Sequence, residues 1–362
     1  MSRGTTAIVD FENLRHNFQV LSKLAPGKLV LVVKADAYGH GLKKIVQALD
    51  GVDCFAVATI DEALIVRQVR PKARVLLLEG FLDNDELLVA IQNQFDSVIH
   101  QKEQLDMFLK LGSNEPNESM NIWLKYDSGM NRLGFTDAEF STAITSLNNH
   151  KNVNELILMS HFASANLADN EFTVEQTKKF LQYRNNQKVS LSNSSALLNK
   201  EYLPDEWCRV GLALFGISPI ESKTAADFNL KPVMKLKTNI IAIKEIKAGE
   251  SVGYGQVFKA KATMKIAIIG IGYGDGYPWS LTKKAHVKIQ NQPANIVGLV
   301  SMDMMAIDIS HIPSANIGGS VLIWGKDQYS NLPIEKVAAN ANTIPYVLLC
   351  QITSRVHYKY VE

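Results

Sequence analysis

The chain has 362 residues, 46% hydrophobic and 20% charged, which is enough for a large core in two domains or in one barrel with an appendage. Basic and acidic residues nearly cancel, 38 against 36, and no basic block stands out, so nothing points to nucleic acid or an anionic membrane surface. The three cysteines, Cys54, Cys208 and Cys350, are far apart; they form neither a metal-type spacing nor a disulfide framework and suit a reducing cytoplasm.

Met1-Ser2-Arg3-Gly4 runs straight into a strand-like Thr6-Ala7-Ile8-Val9. It has no charged-then-apolar signal pattern, and no apolar stretch is long enough for a bilayer, so a soluble cytoplasmic protein is expected. From about Lys28 to Gly216 short apolar runs alternate with amphipathic stretches. The predicted strands are 29–35, 54–58, 75–78, 97–99, 122–126, 156–160, 189–192 and 208–211. The predicted helices between them include 40–49, 61–69, 84–92, 102–111, 137–148 and 173–185. Thr136 with Glu139, and Asp83 with Glu86, have the spacing of a capping box. Alternation of this kind predicts an α/β chain with a (β/α)8 TIM-like barrel, with a doubly wound open sheet as the competing topology. No Gly-x-Gly-x-x-Gly follows the first strand, so a dinucleotide fold has little support.

After Pro232 the texture changes to long alternating segments at 233–246, 265–271, 286–289, 295–309 and 320–324. Turn clusters such as Gln290-Asn291-Gln292-Pro293 separate them. The expectation is a mostly β C-terminal domain with one helix near 334–341 and a boundary around 218–232. In detail, residues 8–225 form the barrel, and 1–7 with 226–362 the β-rich domain.

Lys34 closes the apolar run Leu29–Val33, just before a glycine-bracketed turn. A lysine at the mouth of a buried sheet is costly unless paired or chemically used. Desolvation favours the neutral amine that a Schiff-base lysine needs; the alternative is a lysine whose head snorkels to water. In a β/α barrel, chemistry sits at the carboxyl ends of the strands. Lys34, Lys125 with Asp127, His161, Asn193 with Ser194, and Arg209 with Gly211 all fall there. No carboxylate pair or metal-type cluster stands among them. A cationic, hydroxyl-rich mouth suits a phosphorylated anionic cofactor.

The string Val32-Val33-Lys34-Ala35-Asp36-Ala37-Tyr38-Gly39-His40-Gly41 resembles the pyridoxal-phosphate (PLP) lysine motif of the alanine racemases. Asp127-Ser128-Gly129-Met130-Asn131-Arg132-Leu133-Gly134 resembles the second signature of that family. Ser160-His161-Phe162-Ala163, Arg209-Val210-Gly211, Gly253-Tyr254-Gly255, Gly272-Tyr273-Gly274-Asp275-Gly276-Tyr277 and Ser301-Met302-Asp303 follow in the family's order. The opening Ala7-Ile8-Val9-Asp10, with Leu14 and Asn17, also fits. The resemblance spans nearly the whole chain. It implies a PLP-binding barrel, a β domain and a head-to-tail homodimer in which each partner's β domain completes the other's site.

The same resemblance implies the roles. Lys34 holds PLP as an internal aldimine and, once freed by the amino acid, acts as a base. Ser194 and the backbone amides of Gly211 and Leu212 cradle the phosphate, with Asn193 beside them and Tyr38 adding its hydroxyl; turn packing beside Gly39 is the alternative for Tyr38. Arg209 faces the pyridine nitrogen, where it donates but does not accept. The ring is then a weaker electron sink, which suits return of the proton to the same carbon. A salt bridge in the barrel wall is the alternative for Arg209. Tyr254 of the partner subunit is the second base. A free phenol ionises near pH ~10, so it needs cationic help, supplied in part by His161 hydrogen-bonded toward Tyr254 and Arg209. A plain β-turn aromatic between two glycines is the alternative for Tyr254. Arg132 contacts the PLP phenolic oxygen and the substrate carboxylate, and the backbone around Met302 and Asp303 adds carboxylate binding from across the dimer. Lys125 matches a position carbamylated in many relatives; the alternative is an unmodified lysine paired with a nearby acid. Tyr273 and Tyr254 narrow the entry channel, whereas Tyr277 is read as packing.

Two departures stand out. Ser354 precedes Arg355-Val356 where many relatives have tyrosine, which puts one phosphate contact in doubt, and Ser301 takes a position often held by cysteine. The implied reaction is interconversion of L-alanine and D-alanine, supplying D-alanine for peptidoglycan or starting alanine catabolism. The rivals are a decarboxylase on the same architecture, a broad-specificity racemase and a non-catalytic PLP carrier. Arg209 opposes the first, and the β domain with Tyr254 opposes the last.

Overall fold

A computed structural model describes residues 3–111, 119–167, 171–199, 205–221, 223–281 and 284–362. Two compact units emerge: Arg15–Leu214 with Ser218–Leu230, and Met1–Leu14 with Phe215–Ile217 and Lys231–Glu362. The first strand, β1 (Thr6–Asp10), belongs to the second of these, and the helix Phe11–Leu24 follows it.

The barrel unit contains β2 (Lys28–Val32), β3 (Cys54–Val57), β4 (Val75–Leu77), β5 (Asp96–Ile99), β6 (Met120–Lys125), β7 (Val153–Met159), β8 (Lys188–Ser190) and β9 (Trp207–Val210). They form one parallel sheet in the order β8-β7-β6-β5-β4-β3-β2-β9. Val30 of β2 sits in register with Cys54 on one side and Arg209 on the other. Contacts beyond the ladders join β8 to β9: Ser190 Oγ donates to the Trp207 carbonyl (2.6 Å), and the Arg209 N–H donates to the Ser192 carbonyl (3.0 Å). Strands such as β3 and β4 are apolar throughout because a wound parallel sheet is covered on both faces.

The amino end of the barrel is closed by charge and aromatics. Asp96, buried, accepts from Trp123 Nε1 (2.7 Å), Asn121 Nδ2 (2.9 Å) and Arg74 Nε (2.7 Å). Arg74 also pairs with Glu155 (2.7 Å) and lies over the Trp207 ring (4.6 Å). Paired in this way, the buried carboxylate avoids the cost of an isolated charge. Helix starts follow their caps. The Asp83 carboxylate accepts the Glu86 N–H (2.8 Å), and Glu139 accepts both the N–H and the hydroxyl of Thr136 (3.1 and 2.7 Å).

The second unit is built on β10 (Met234–Ile246), the hairpin β11 (Ser251–Val252) and β12 (Phe258–Lys259), then β13 (Met264–Ile269), β14 (His286–Ile289), β15 (Gln292–Val297), β16 (Met305–Asp308), β17 (Ser320–Lys326), β18 (Asn331–Leu332) and β19 (His357–Val361). Sheet order is β18-β17-β14-β15-β16-β13-β10-β1-β19, and a further pairing of β17 with β10 closes a ring. A register shift between Ile240 and Ala242 lets the long β10 serve β1 and β17 with its first half and β13 with its second.

Three expectations change. The strand predicted over 29–35 stops at Val32, because Ala35 to Tyr38 turn left-handed. The single segment predicted over 295–309 is two strands, β15 and β16, broken where Gly298 takes φ +74° and Ser301 turns back on Met304. Where one helix is expected near 334–341, the described residues of 331–362 carry two: Ile334–Asn340, and Pro345–Cys350 opened by a proline in its first turn.

Candidate active site

Lys34 stands at the carboxyl end of β2, half-buried. The next four residues, Ala35, Asp36, Ala37 and Tyr38, have φ of 52, 53, 53 and 52°. A left-handed run of L-residues costs roughly 1–2 kcal/mol per residue, so the surroundings must hold it. Glu62 accepts the N–H of Ala35 (2.7 Å) and of Ala58 (2.9 Å). The Asp36 carboxylate accepts the Leu42 N–H (2.7 Å). His40 is fully buried, and its Nδ1 donates to the Tyr38 carbonyl (2.8 Å). Burial pushes this imidazole down to about 4, so it is neutral with its proton on Nδ1.

The left-handed turn delivers Tyr38 to Gly211. A Cβ on Gly211 would lie 2.3 Å from the Tyr38 hydroxyl, so only glycine fits there. The Gly211 N–H donates to Ser194 Oγ (3.0 Å). Asn193 caps the short helix Ser194–Asn199, its Oδ1 accepting the Ala196 N–H (3.1 Å), and Leu212 opens the 3-10 turn Leu212–Phe215. Two hydroxyls and a backbone N–H therefore meet around one glycine, a donor set suited to phosphate.

Arg209 on β9 is buried, with its fork spread over backbone. Its Nη1 donates to the Ser190 carbonyl (2.8 Å) and its Nη2 to the Ser160 carbonyl (2.6 Å), the Leu191 carbonyl (3.2 Å) and His161 Nδ1 (3.2 Å). Among the described residues no carboxylate lies within ion-pair distance of it, so it is not a salt bridge of the barrel wall. Burial lowers it to about 10, a pull opposed by Asp205, and it stays charged at neutral pH. His161, after β7, is held well below the usual imidazole range by burial and then by Arg209, Lys125, Arg132 and Lys34. A neutral ring accepting at Nδ1 carries its proton on Nε2.

Lys125 ends β6, 7% exposed. Burial and the nearby charges of Arg209, Arg132 and Lys34 lower its ammonium to about 8, against the pull of Asp127. Among the described residues no acid pairs with it. Arg132 is exposed on the next loop. There Asp127 Oδ1 accepts the N–H of Gly129 (2.9 Å) and of Asn131 (3.0 Å), and Asn131 takes φ +55°. Lys34, Lys125, Arg132, Arg209 and His161 thus share one electrostatic neighbourhood at the carboxyl mouth.

Tyr254, Met302 and Asp303 lie in the β-rich unit. Tyr254 is 71% exposed, between Gly253 (φ +71°) and Gly255 (φ +65°), at the tip of the β11–β12 hairpin. Val252 and Phe258 anchor that hairpin on Ile266, Val297 and Ala306. Met302 is half exposed, and its carbonyl accepts the Gly274 N–H (2.9 Å). The Asp303 carbonyl accepts from Arg3 (2.9 Å), and its carboxylate pairs with Arg355. Arg3 also pairs with the buried Asp275 (2.8 Å), which accepts the Gly272 N–H (3.0 Å). The Tyr273 and Met302 turns are therefore laced together by charge. Tyr277 is buried, and Ser354 is exposed beside Arg355.

Sequence reasoning passed over Glu62, Asp205 and Gln176. Glu62 had a readable signal, the Thr59-x-x-Glu62 cap, in which Thr59 accepts the Glu62 N–H. Asp205 takes the N–H of Leu191 (3.1 Å) and Ser192 (2.6 Å), and Gln176 lies on the helix Glu171–Leu181. Neither has a local pattern that marks it.

The family model of the alanine racemase N-terminal domain matches residues 9–219, and that of the C-terminal domain matches 233–360. The alanine racemase of Vibrio vulnificus is 39% identical, over 99% of this chain and 100% of that protein. The crystal structure of biosynthetic alanine racemase from Pseudomonas aeruginosa superposes with a TM-score of 0.95 at 38% identity, covering 100% of both chains. That of alanine racemase from Bartonella henselae, with covalently bound pyridoxal phosphate, superposes at 0.87 with 28% identity, covering 99% of each. The chain belongs to the alanine racemase family, the enzymes that interconvert L-alanine and D-alanine.

Proposed function

We propose that the interconversion uses pyridoxal 5'-phosphate held covalently by Lys34, with Lys34 and the partner subunit's Tyr254 as the two bases. The observation that carries this reading is the meeting of Tyr38, Ser194 and Gly211 beside a cationic mouth that includes Lys34. A glycine whose missing Cβ makes room for the Tyr38 hydroxyl, with uncharged donors around it, fits a phosphate; Asn193 holds the helix that presents Ser194, and the Leu212 amide adds a donor. The covalently bound PLP of the Bartonella henselae relative supports the same choice. Bound there, PLP supplies the electron sink that makes the α-hydrogen of alanine acidic.

The chain's own residues do the rest. Lys34 Nζ takes or returns the α-proton on one face of the carbon, and Tyr254 Oη does so on the other. Arg209, which can donate but not accept, would face the pyridine nitrogen and leave it unprotonated, limiting side reactions that carry charge into the ring. Neutral His161 passes the influence of Arg209 toward Tyr254. Arg132, with backbone around Met302 and Asp303 of the partner subunit, holds the substrate carboxylate. Lys125 is carbamylated: its neutral amine adds carbon dioxide, a C–N bond forms, and a proton leaves to solvent. Its lowered pKa and the want of an acid partner among the described residues support this. The resulting anion orients Arg132.

A homodimer with shared sites accounts for a base as exposed as Tyr254. The biosynthetic Pseudomonas aeruginosa relative favours D-alanine supply as the role. The free cysteines, two of them buried, favour the cytoplasm.

Borohydride reduction of the PLP-loaded enzyme followed by peptide mass spectrometry tests the assignment. The expected result is a phosphopyridoxyl adduct on Lys34, with no racemisation by Lys34→Ala. An adduct on another lysine, or racemisation by Lys34→Ala at the parent rate, would overturn it.

A further inference from the structure

Helix side chains staple the carboxyl rim of the barrel in pairs of loops. Glu62, on the helix Ile60–Val69, joins Ala35 after β2 to Ala58 after β3. Gln104, on the helix Lys102–Leu109, accepts the His100 N–H after β5 (2.9 Å) and donates to the carbonyls of Glu79 and Phe81 after β4 (2.9 and 3.0 Å). Gln176 does the same for the loops after β6 and β7. Its Nε2 donates to Ser128 Oγ (3.0 Å) and to the His161 carbonyl (3.0 Å), and its Oε1 accepts the Ala163 N–H (3.0 Å).

The orientation of this buried amide is fixed by its neighbours. Ser160 Oγ donates to the Tyr126 carbonyl (2.9 Å), so it accepts from Ser128 Oγ (2.8 Å), which in turn accepts from Gln176. A reversed amide would set an oxygen against the His161 carbonyl. Gln176, Ser128 and Ser160 are all buried, so each unmade bond carries its full desolvation cost. At the other end, the Ser160 carbonyl and the His161 ring both accept from Arg209.

We propose that Gln176 is a positioning residue of the racemase site: by joining the Ser128 and His161 loops it sets the place of the His161 ring and, through it, of the Arg209 guanidinium. The inference rests on the reading of His161 and Arg209 given above. Glutamate at this position is nearly isosteric but brings only acceptor oxygens when ionised, and one of them faces a carbonyl.

The test uses the PLP-loaded enzyme with 15N-labelled histidine, the His161 imidazole signals being assigned by their loss in His161→Gln. Gln176→Glu and Gln176→Leu are compared with Gln104→Leu, which removes an equivalent buried staple elsewhere on the rim. The expected result is that both Gln176 variants shift the His161 signals. Their kcat falls about 10- to 100-fold, as for a misplaced catalytic constellation, with KM changed by less than about twofold. Activity of Gln176→Glu recovers partly at low pH, where the protonated carboxyl donates again. Gln104→Leu lowers stability and leaves the His161 signals in place. Unmoved His161 signals in the Gln176 variants, or a kcat loss matched by Gln104→Leu, would show a purely structural role. Should neither Gln176 variant fold, Ser128→Ala carries the same readout, since it cuts the link to Ser160 and leaves the amide itself. The same signals in the cofactor-free chain separate failure of this role from failure of the PLP reading.

Discussion

At Lys125 burial and charge act in the same direction: solvent is withdrawn, and three cations stand nearby. Its ammonium is lowered to about 8 from an ordinary 10.5, so between those values the unfolded chain binds more protons than the fold, and stability rises with pH across that window. Below pH 8 the fold carries the burden of a desolvated charge, roughly 3.5 kcal/mol at most on the conversion of about 1.4 kcal/mol per pH unit. In carbon dioxide-free buffer Lys125→Met is therefore more stable than the parent near neutral pH, with a gap that closes as pH rises past 10.5. Urea unfolding at several pH values checks this. Added bicarbonate raises the activity of the parent and leaves the variant unchanged; equal responses would refute the carbamate.

Among the elements, the left-handed turn after Lys34 is the least ordinary. Ala35 is exposed, so Ala35→Gly relieves roughly 1–2 kcal/mol of strain against about 0.5–1 kcal/mol of added chain entropy. The expected net is a gain of about 0.5–1 kcal/mol, read as a higher Tm; a lower Tm would mean that the turn is unstrained. This turn also marks where sequence reading stops. Buried parallel strands such as β2, β3 and β4 announce themselves as apolar runs, and each of the eight barrel strands overlaps a predicted one. The hand of Ala35–Tyr38 was not legible, because it rests on hydrogen bonds that no local pattern announces, from Asp36 to the Leu42 N–H, from His40 to the Tyr38 carbonyl, and from the distant Glu62 to the Ala35 N–H. The break between β15 and β16 hid inside continued alternation, and Pro345–Cys350 is too short to show a helical period. Rim residues at strand ends, such as Lys34, His161 and Arg209, follow from barrel geometry once the strands are counted. Gln176 and Asp205 do not, since their value lies in loops brought together only by folding.

For the whole molecule, the division of labour is between a barrel that carries Lys34 and a β-rich unit that carries Tyr254. The proposed dimer makes one base of each site a loan from the other subunit. A two-fold assembly exchanges identical patches, so both sites are built alike and either can work alone. Mixing Lys34→Ala with Tyr254→Phe separates this from a site made within one chain. Each variant by itself is expected to racemise alanine poorly from either enantiomer, followed by circular dichroism. After subunit exchange the hybrid holds one site lacking both bases and one site intact, so activity returns to about a quarter of the parent's for random two-fold pairing. No recovery on mixing, with exchange verified, would contradict a site shared between Lys34 and the partner subunit's Tyr254.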